Sequence, residues 1–229
     1  MSSTKLNSEF TFWEEEHLTT PVRPWLSIVI PAYNEGAPDR LPKSLEEIYA
    51  FVDNQDFDIE VVIVNNNSTD NTLAIATEAA ENHPYICVIT EITQGKGAAV
   101  KTGMTTATGE YLFICDADLS MPIEEVVKFL PPHCEDYDIA IASREVEGSR
   151  RVGEPEMRHI MGRVFNWIVR VVAVRGLNDT QCGFKCFRRE VAEAIFPMQT
   201  INGWGFDVEL LFIAQKHGYT IIEVPITWI

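Results

Sequence analysis

Apolar residues in this chain come in short runs, and between the runs they recur every three or four positions. Leu26–Pro31 (LSIVIP), Ile59–Val64 (IEVVIV), Ile86–Thr90, Tyr111–Cys115 (YLFIC) and Asp138–Ala142 (DIAIA) are runs without clean alternation, as expected of strands buried on both faces. Helical patterns follow them at Arg40–Val52, Asp70–Glu81, Lys96–Thr108 and Glu124–Leu130. Repeated strand–helix units imply right-handed crossovers. They predict a doubly wound α/β fold with a mostly parallel central sheet and helices on both faces. After residue 150 the pattern changes. Pro155–Arg175 reads as a long helix, apolar at Ile160, Val164, Ile168, Val171 and Val172 and punctuated by arginines at 158, 163, 170 and 175. A glycine-containing strand at Cys182–Phe187, a helix at Phe206–His217 and a final strand over Thr220–Ile229 complete the pattern. Residues 1–24, with Glu14–Glu16 followed by Pro21 and Pro24, read as an arm, and residues 25–229 as one domain. A chain seldom stops inside a strand, so a continuation past Ile229 is expected.

In open parallel sheets, ligands bind beyond the carboxyl ends of the strands. The residues there are Pro31-Ala-Tyr-Asn-Glu35, Asn65–Asp70 (NNNSTD), Gln94-Gly-Lys-Gly97, Asp116-Ala-Asp118 and Ser143-Arg144. Each group is polar and each follows an apolar run, so the fold predicts that they converge on one edge. Asp116 and Asp118, one residue apart at a strand end, can face one hard cation. Mg2+ or Mn2+ binds through one or two such carboxylates together with phosphate oxygens and water. Capping of the next helix is the plainer alternative. Gln94–Gly97 opens a helix, where glycines allow close approach and free N–H groups suit a phosphate beside Lys96. Its spacing is not that of a Walker or dinucleotide loop, and a tight turn with Lys96 in solvent is the alternative. Asn65, Asn66 and Asn67 also suit a turn, and Asp70 a helix cap.

The 229 residues carry a net charge of −16, which argues against nucleic acid as a partner. The charge is uneven: residues 144–189 are locally +5 and the remainder −21. That segment suits a local anionic ligand or surface, or simply a solvated helix face. The five cysteines include no CxxC pair, which fits a reduced, cytoplasmic chain with most thiols in the core and no zinc site at Cys182 and Cys186. Met1–Thr20 lacks the basic and apolar regions of a secretory signal, and no apolar run approaches the ~20 residues that span a bilayer.

Together, PAYNE, NNNSTDNT, GKGAAVKTG and DADLS resemble the family 2 glycosyltransferases, which have the GT-A fold. The basic helix, DTQCGFK at Asp179–Lys185 and WGFDVEL at Trp204–Leu210 are similar to the polyprenyl-phosphate sugar synthases, most closely the dolichyl-phosphate β-glucosyltransferase branch. The resemblance covers about residues 25–229 and implies a nucleotide-sugar half (25–120) and an acceptor half (121–229). It implies that Pro31, Tyr33 and Glu35 line a nucleotide pocket and that Asp116 and Asp118 hold the metal on a donor diphosphate. Ala117 then touches the nucleotide, Arg144 meets phosphate, and Arg158, Gln181 and Lys185 serve the acceptor side. Where the family pattern has a second acidic residue facing the base, this chain has Asn66, which brings no charge. Family members also continue past the last strand with a basic loop and, in many, membrane helices; this sequence ends at Ile229.

The implied reaction is inverting transfer of a hexose, glucose favoured, from a nucleotide diphosphate sugar to a polyprenyl or dolichyl monophosphate. UDP-glucose is the favoured donor, with GDP-mannose an alternative. The reaction is expected at the cytoplasmic face of a membrane, with the 155–175 helix as a peripheral contact or a core helix. A phosphate monoester has a second pKa near 6, so it attacks as an anion and barely needs a base. Two other readings remain open. In one, the acceptor is a hydroxyl and Asp207 removes its proton; in the other, the chain binds nucleotide sugar without catalysis. Asp207 also suits a helix cap, and Trp204 and Phe206 either a wall of the site or core packing. His159 reads as a surface residue.

Overall fold

The computed structural model describes residues 23–152 and 174–229. The expected 155–175 helix, with Arg158 and His159, lies outside the described residues except for Val174 and Arg175, which are not helical. Seven strands form one sheet: β1 (Leu26–Ala32), β2 (Ile59–Asn65), β3 (Ile86–Thr90), β4 (Tyr111–Ile114), β5 (Ile139–Ser143), β7 (Lys185–Arg188) and β8 (Ile221–Pro225). Their order is β3-β2-β1-β4-β7-β5-β8. All pairs are parallel except the two made by β7, which runs antiparallel to β4 and to β5.

Side chains on successive strand residues point to opposite faces, and the core divides accordingly. Leu26, Ile28 and Ile30 of β1 meet α1 (Leu41–Asp53), α2 (Thr72–Asn82) and a 3₁₀ helix at Ile123–Phe129. On the other face Val29, Val62 and Ile114 meet α3 (Lys96–Thr106), α4 (Arg189–Ile195) and α5 (Phe206–Lys216). Helix α1 buries Leu41, Leu45, Ile48 and Phe51, a single stripe at helical spacing. Its Pro42 sits in the first turn, where a missing N–H costs nothing. Helix α3 approaches the sheet through Gly103, where a Cβ would lie 2.4 Å from Val29 Cγ1 and 2.9 Å from Val64 Cγ2.

The short helix expected at 124–130 is a 3₁₀ helix over Ile123–Phe129. One expectation is corrected. The final apolar run is not one strand: β8 ends at Pro225, and β9 (Thr227–Trp228) leaves the sheet to pair with β6 (Arg150–Arg151). Proline has no N–H to extend a ladder, so a strand ends there readily. Of the cysteines, Cys115, Cys182 and Cys186 are buried and Cys87 is exposed. Burial pushes the Cys182 and Cys186 thiols up to about 12, which suits packing groups.

Gly103→Ala is expected to destabilise the fold by about 1–3 kcal/mol through overpacking against Val29 and Val64. Urea unfolding measures this, and an unchanged midpoint would contradict the close helix–sheet contact.

Candidate functional site at the carboxyl edge of the sheet

Because β1, β2 and β4 run in parallel, the loops that follow them emerge along one edge, and hydrogen bonds tie them together. Asn34 N–H donates to Ser68 Oγ (3.1 Å) and Glu35 N–H to Thr72 Oγ1 (2.8 Å). Asp70 accepts from Gly36 N–H (2.9 Å) as well as from Thr72 N–H (3.0 Å), so it caps α2 and also clamps the first loop. Despite some desolvation, these bonds hold the Asp70 carboxyl below the usual range.

The edge encloses a cavity of about 630 Å³. Pro31, Tyr33, Glu35, Asn66, Lys96, Asp116, Ala117, Asp118, Arg144 and Gln181 all line it. Lys185 and Asp207 do not. The Lys185 side chain is fully buried, and its Nζ donates to Asp207 Oδ1 (2.6 Å) and to the Cys182 carbonyl (2.5 Å). The resemblance implies Lys185 on the acceptor side, and Asp207 reads as a base or a helix cap; the fold makes them a buried ion pair behind the cavity. Burial pushes the Asp207 carboxyl up, against the pull of the Lys185 and Lys96 ammoniums.

Asn66 uses its amide on the loop after β3. Its Nδ2 donates to the Glu91 (3.1 Å) and Thr93 (2.7 Å) carbonyls, and its Oδ1 accepts from Gly95 N–H (2.8 Å). An aspartate cannot donate the first two bonds. The glycines at 95 and 97 give room to the backbone at 201–203. A Cβ on Gly95 would lie 2.1 Å from the Asn202 carbonyl oxygen, and one on Gly97 2.5 Å from that of Ile201. The Asn202 carbonyl takes the Ala98 N–H (3.2 Å) in the first turn of α3.

Asp116 and Asp118 lie in the turn after β4. Lys96 Nζ sits 2.5 Å from Asp116 Oδ1, and the backbone at Gly183 packs against the other oxygen, where a Cβ would come within 2.1 Å of Oδ2. Burial alone would lower the Lys96 pKa, but Asp116, with Asp207 and Asp118 nearby, outweighs it and holds the ammonium above the usual lysine value. Asp118 accepts from Ser120 Oγ (2.9 Å). Glu35, bonded to Arg40 at 2.7 Å, is raised mainly by burial, with the charges of Asp118 and Asp116 adding to the effect. Two carboxylates on one polar cavity match the oxygen donors that Mg2+ or Mn2+ prefers, the remaining positions falling to ligand oxygens and water. Among the described residues no group of three or more His, Cys, Asp or Glu side chains forms a closed cage.

Across the cavity, Arg144 is held by buried Asp179 through Nε (2.7 Å) and Nη2 (3.0 Å), and its backbone N–H donates to the same carboxylate. Glu223 of β8 accepts from the Asn178 and Asp179 N–H groups (2.8 and 2.9 Å) and so fixes the segment that carries Asp179. The guanidinium lies 4.8 Å from the Trp228 ring centre. Asp179, Gly183, Ser120 and Trp228 carry no individual role in the sequence reading. A glycine inside a strand pattern, the signal at Gly183, marks a close approach; Trp228 was hidden in what read as plain strand. Trp204, 75% exposed, lines the cavity beside Lys96, whereas Phe206 is core.

A family model described as Glycosyl transferase family 2 matches residues 27–196. Dolichyl-phosphate beta-glucosyltransferases of Drosophila melanogaster and Homo sapiens are 36% and 33% identical over 218 residues, 89% of this chain and 66% and 67% of theirs. One from Trichomonas vaginalis is 34% identical over 91% of this chain and 65% of its own. The chain thus spans just under two thirds of the Trichomonas and Drosophila proteins, 65% and 66%. The crystal structure of glucosyl-3-phosphoglycerate synthase from Mycobacterium tuberculosis with Mn2+, UDP-glucose and phosphoglyceric acid has a TM-score of 0.65 to this chain. It covers 90% of this chain and 70% of that one at 17% identity, a likeness of fold.

Two predictions follow from the buried charges. Asp207→Asn strands the Lys185 ammonium and is expected to cost about 3–5 kcal/mol, most of it restored by pairing Lys185→Met with Asp207→Leu; urea unfolding of the single and double variants checks this. Asp179 is desolvated, yet Arg144 holds its carboxyl below the usual range. Its contribution to stability is therefore full above the unfolded carboxyl's pKa and is lost as pH falls through the lower, folded value. Asp179→Asn is expected to flatten the acid limb of a stability profile taken from neutral pH to about pH 3.

Proposed function

The chain belongs to glycosyl transferase family 2, and on that footing we propose that it moves glucose from UDP-glucose to a dolichyl or related polyprenyl monophosphate. The observation that carries this reading is the pairing, on one cavity, of the Asp116–Asp118 turn with a guanidinium fixed by Asp179. One end suits the diphosphate of a donor and the other an anionic acceptor. The named relatives supply the substrate class.

Asp116 and Asp118 would hold a divalent ion, which as a Lewis acid stabilises the charge growing on the departing diphosphate. Arg144 orients the acceptor phosphate, and its bidentate grip on Asp179 fixes the guanidinium plane before the ligand arrives. An oxygen of that phosphate forms a bond to the anomeric carbon as the bond to the diphosphate breaks, with inversion. The nucleophile is already an anion, so no proton has to be removed. That agrees with Asp207 lying behind the cavity, bonded to Lys185, and weakens the hydroxyl-acceptor reading, which needs a base there. The acceptor is a lipid, so the reaction belongs at a membrane surface, and we place it on the cytoplasmic side. No helix among the described residues is long and apolar enough to cross a membrane.

With Mn2+ or Mg2+ and a short prenyl phosphate, UDP-glucose is expected to release UDP faster than GDP-mannose releases GDP. Asp118→Asn should lower that rate by about 10²-fold or more. Release of nucleoside diphosphate with neither donor, or an undiminished rate in Asp118→Asn, would overturn the reading.

A further inference from the structure

The cavity already contains a cation of the protein's own, placed against one of the two aspartates assigned to the divalent ion. Lys96 stands in the first turn of α3, its side chain 17% exposed and its Nζ 2.5 Å from Asp116 Oδ1. Its position is tightly determined. The turn that carries it is pressed by the backbone at 201–203 through Gly95 and Gly97, and Ala98 N–H is bonded to the Asn202 carbonyl. Gln199 Nε2 reaches back to the Gly97 carbonyl (2.8 Å). The same loop carries Trp204, whose ring centre lies 5.1 Å from the ammonium. Asp116 is therefore flanked by an ammonium at one oxygen and by the Gly183 backbone at the other.

We propose that Lys96 is the resident counter-ion of this site: it holds Asp116 in place and keeps a bare divalent ion out until a nucleoside diphosphate enters with it. The inference rests on the reading of the cavity as a metal–diphosphate site and adds an order of binding to it. A divalent ion approaching Asp116 alone meets a fixed positive charge at contact distance, in a cavity partly shielded from water, where like charges repel strongly. A diphosphate changes the balance. It brings negative charge of its own, offers oxygens to the metal, and gives the displaced ammonium a new partner. Lys96 then leaves Asp116 and turns towards phosphate, and its contact with Trp204 changes as it moves.

Mn2+ binding followed by electron paramagnetic resonance tests this, with Mn2+ alone and with Mn2+ plus UDP. For wild type, Mn2+ alone is expected to bind about tenfold or more weakly than in the presence of UDP. Lys96→Met should tighten Mn2+ alone by about tenfold and so remove most of the dependence on UDP. Lys101→Met deletes a charge from the same helix at a side chain bonded to the Pro197 and Gln199 carbonyls, and is expected to bind Mn2+ as wild type does. Equal affinity of wild type and Lys96→Met for Mn2+ alone overturns the proposal and leaves the proposed function standing, as does an equal gain in Lys101→Met. No Mn2+ binding by wild type even with UDP overturns both. A second readout needs no change at Lys96: Mg2+ with UDP should shift tryptophan emission in wild type, and Trp204→Phe should abolish most of the shift. A shift undiminished in Trp204→Phe contradicts the movement of Lys96.

Discussion

Parallel pairing of β1 with both β2 and β4 is the constraint from which the site follows. Residues in register run from Leu26↔Ile59 to Ala32↔Asn65 on one side and from Leu26↔Tyr111 to Val29↔Ile114 on the other. Three chain segments therefore leave the sheet at one edge, β4 three residues short of the ends of β1 and β2, and the turn with Asp116 and Asp118 lines the same cavity as the loop with Tyr33 and Glu35. The antiparallel strand β7 obeys the same geometry in reverse. Its first residue, Lys185, pairs with Ile114, the last of β4, so the segment before β7, not the one after it, reaches the cavity. Asp179, Gln181 and Gly183 are available to the site for that reason.

Charge organisation follows from this crowding. The chain is strongly acidic, yet the described cations in and behind the cavity each stand against a carboxylate: Arg40 with Glu35, Lys96 with Asp116, Arg144 with Asp179 and Lys185 with Asp207. The four pairs differ in kind. Arg40 is exposed, so its pair contributes little to stability. Lys185 is wholly buried, and its pair keeps two polar groups satisfied inside the domain. Arg144 and Lys96 lie between these extremes, close enough to solvent to meet a ligand and dry enough for a carboxylate to hold them still. For Arg144, gripped at two nitrogens by Asp179, the ordering entropy is spent in folding, and an anionic ligand would meet a guanidinium already oriented.

Much of this was legible in the sequence, for a physical reason. Strand ends in a parallel sheet are marked by an apolar run followed at once by polar residues, so PAYNE, NNNSTD, QGKG, DAD and Ser143-Arg144 all mapped to the right edge. What was not legible depended on contacts between segments far apart in the chain. Lys185 lies in a strand and Asp207 at the start of a helix, and nothing local says that they meet beneath the cavity floor. Gly95 and Gly97 read as room for close approach at a helix start, and the space they leave is taken by the 201–203 backbone, some 100 residues on. Asn66 stands where the family pattern has an acid, and only the folded loop reveals two carbonyls that need a donor. The break at Pro225 was visible in principle, since proline ends a ladder; the apolar run on both sides of it masked the signal.

The turn that carries the two aspartates shows how such a site is held. Leu119 has φ 44°, a left-handed conformation that costs a branched apolar residue about 1–2 kcal/mol. Asn34 and Asn67, at φ 55° and 54°, adopt the same region on neighbouring loops at smaller cost, because asparagine tolerates it. Burial of the Leu119 side chain, only 7% exposed, in the core beneath the turn offsets that cost. The turn is closed by Leu119 N–H on the Asp116 carbonyl (3.2 Å). It is tied across the molecule by Ser44 Oγ of α1, which donates to the Ala117 carbonyl (2.7 Å). Burial of one side chain and a bond from a distant helix thus over-determine a strained backbone. The gain is rigidity at Asp116 and Asp118, whose carboxylates must stay in place although their own charges repel. Lys96 on Asp116 and Ser120 on Asp118 reduce that repulsion one carboxylate at a time, so the turn keeps its shape before any ligand reaches it.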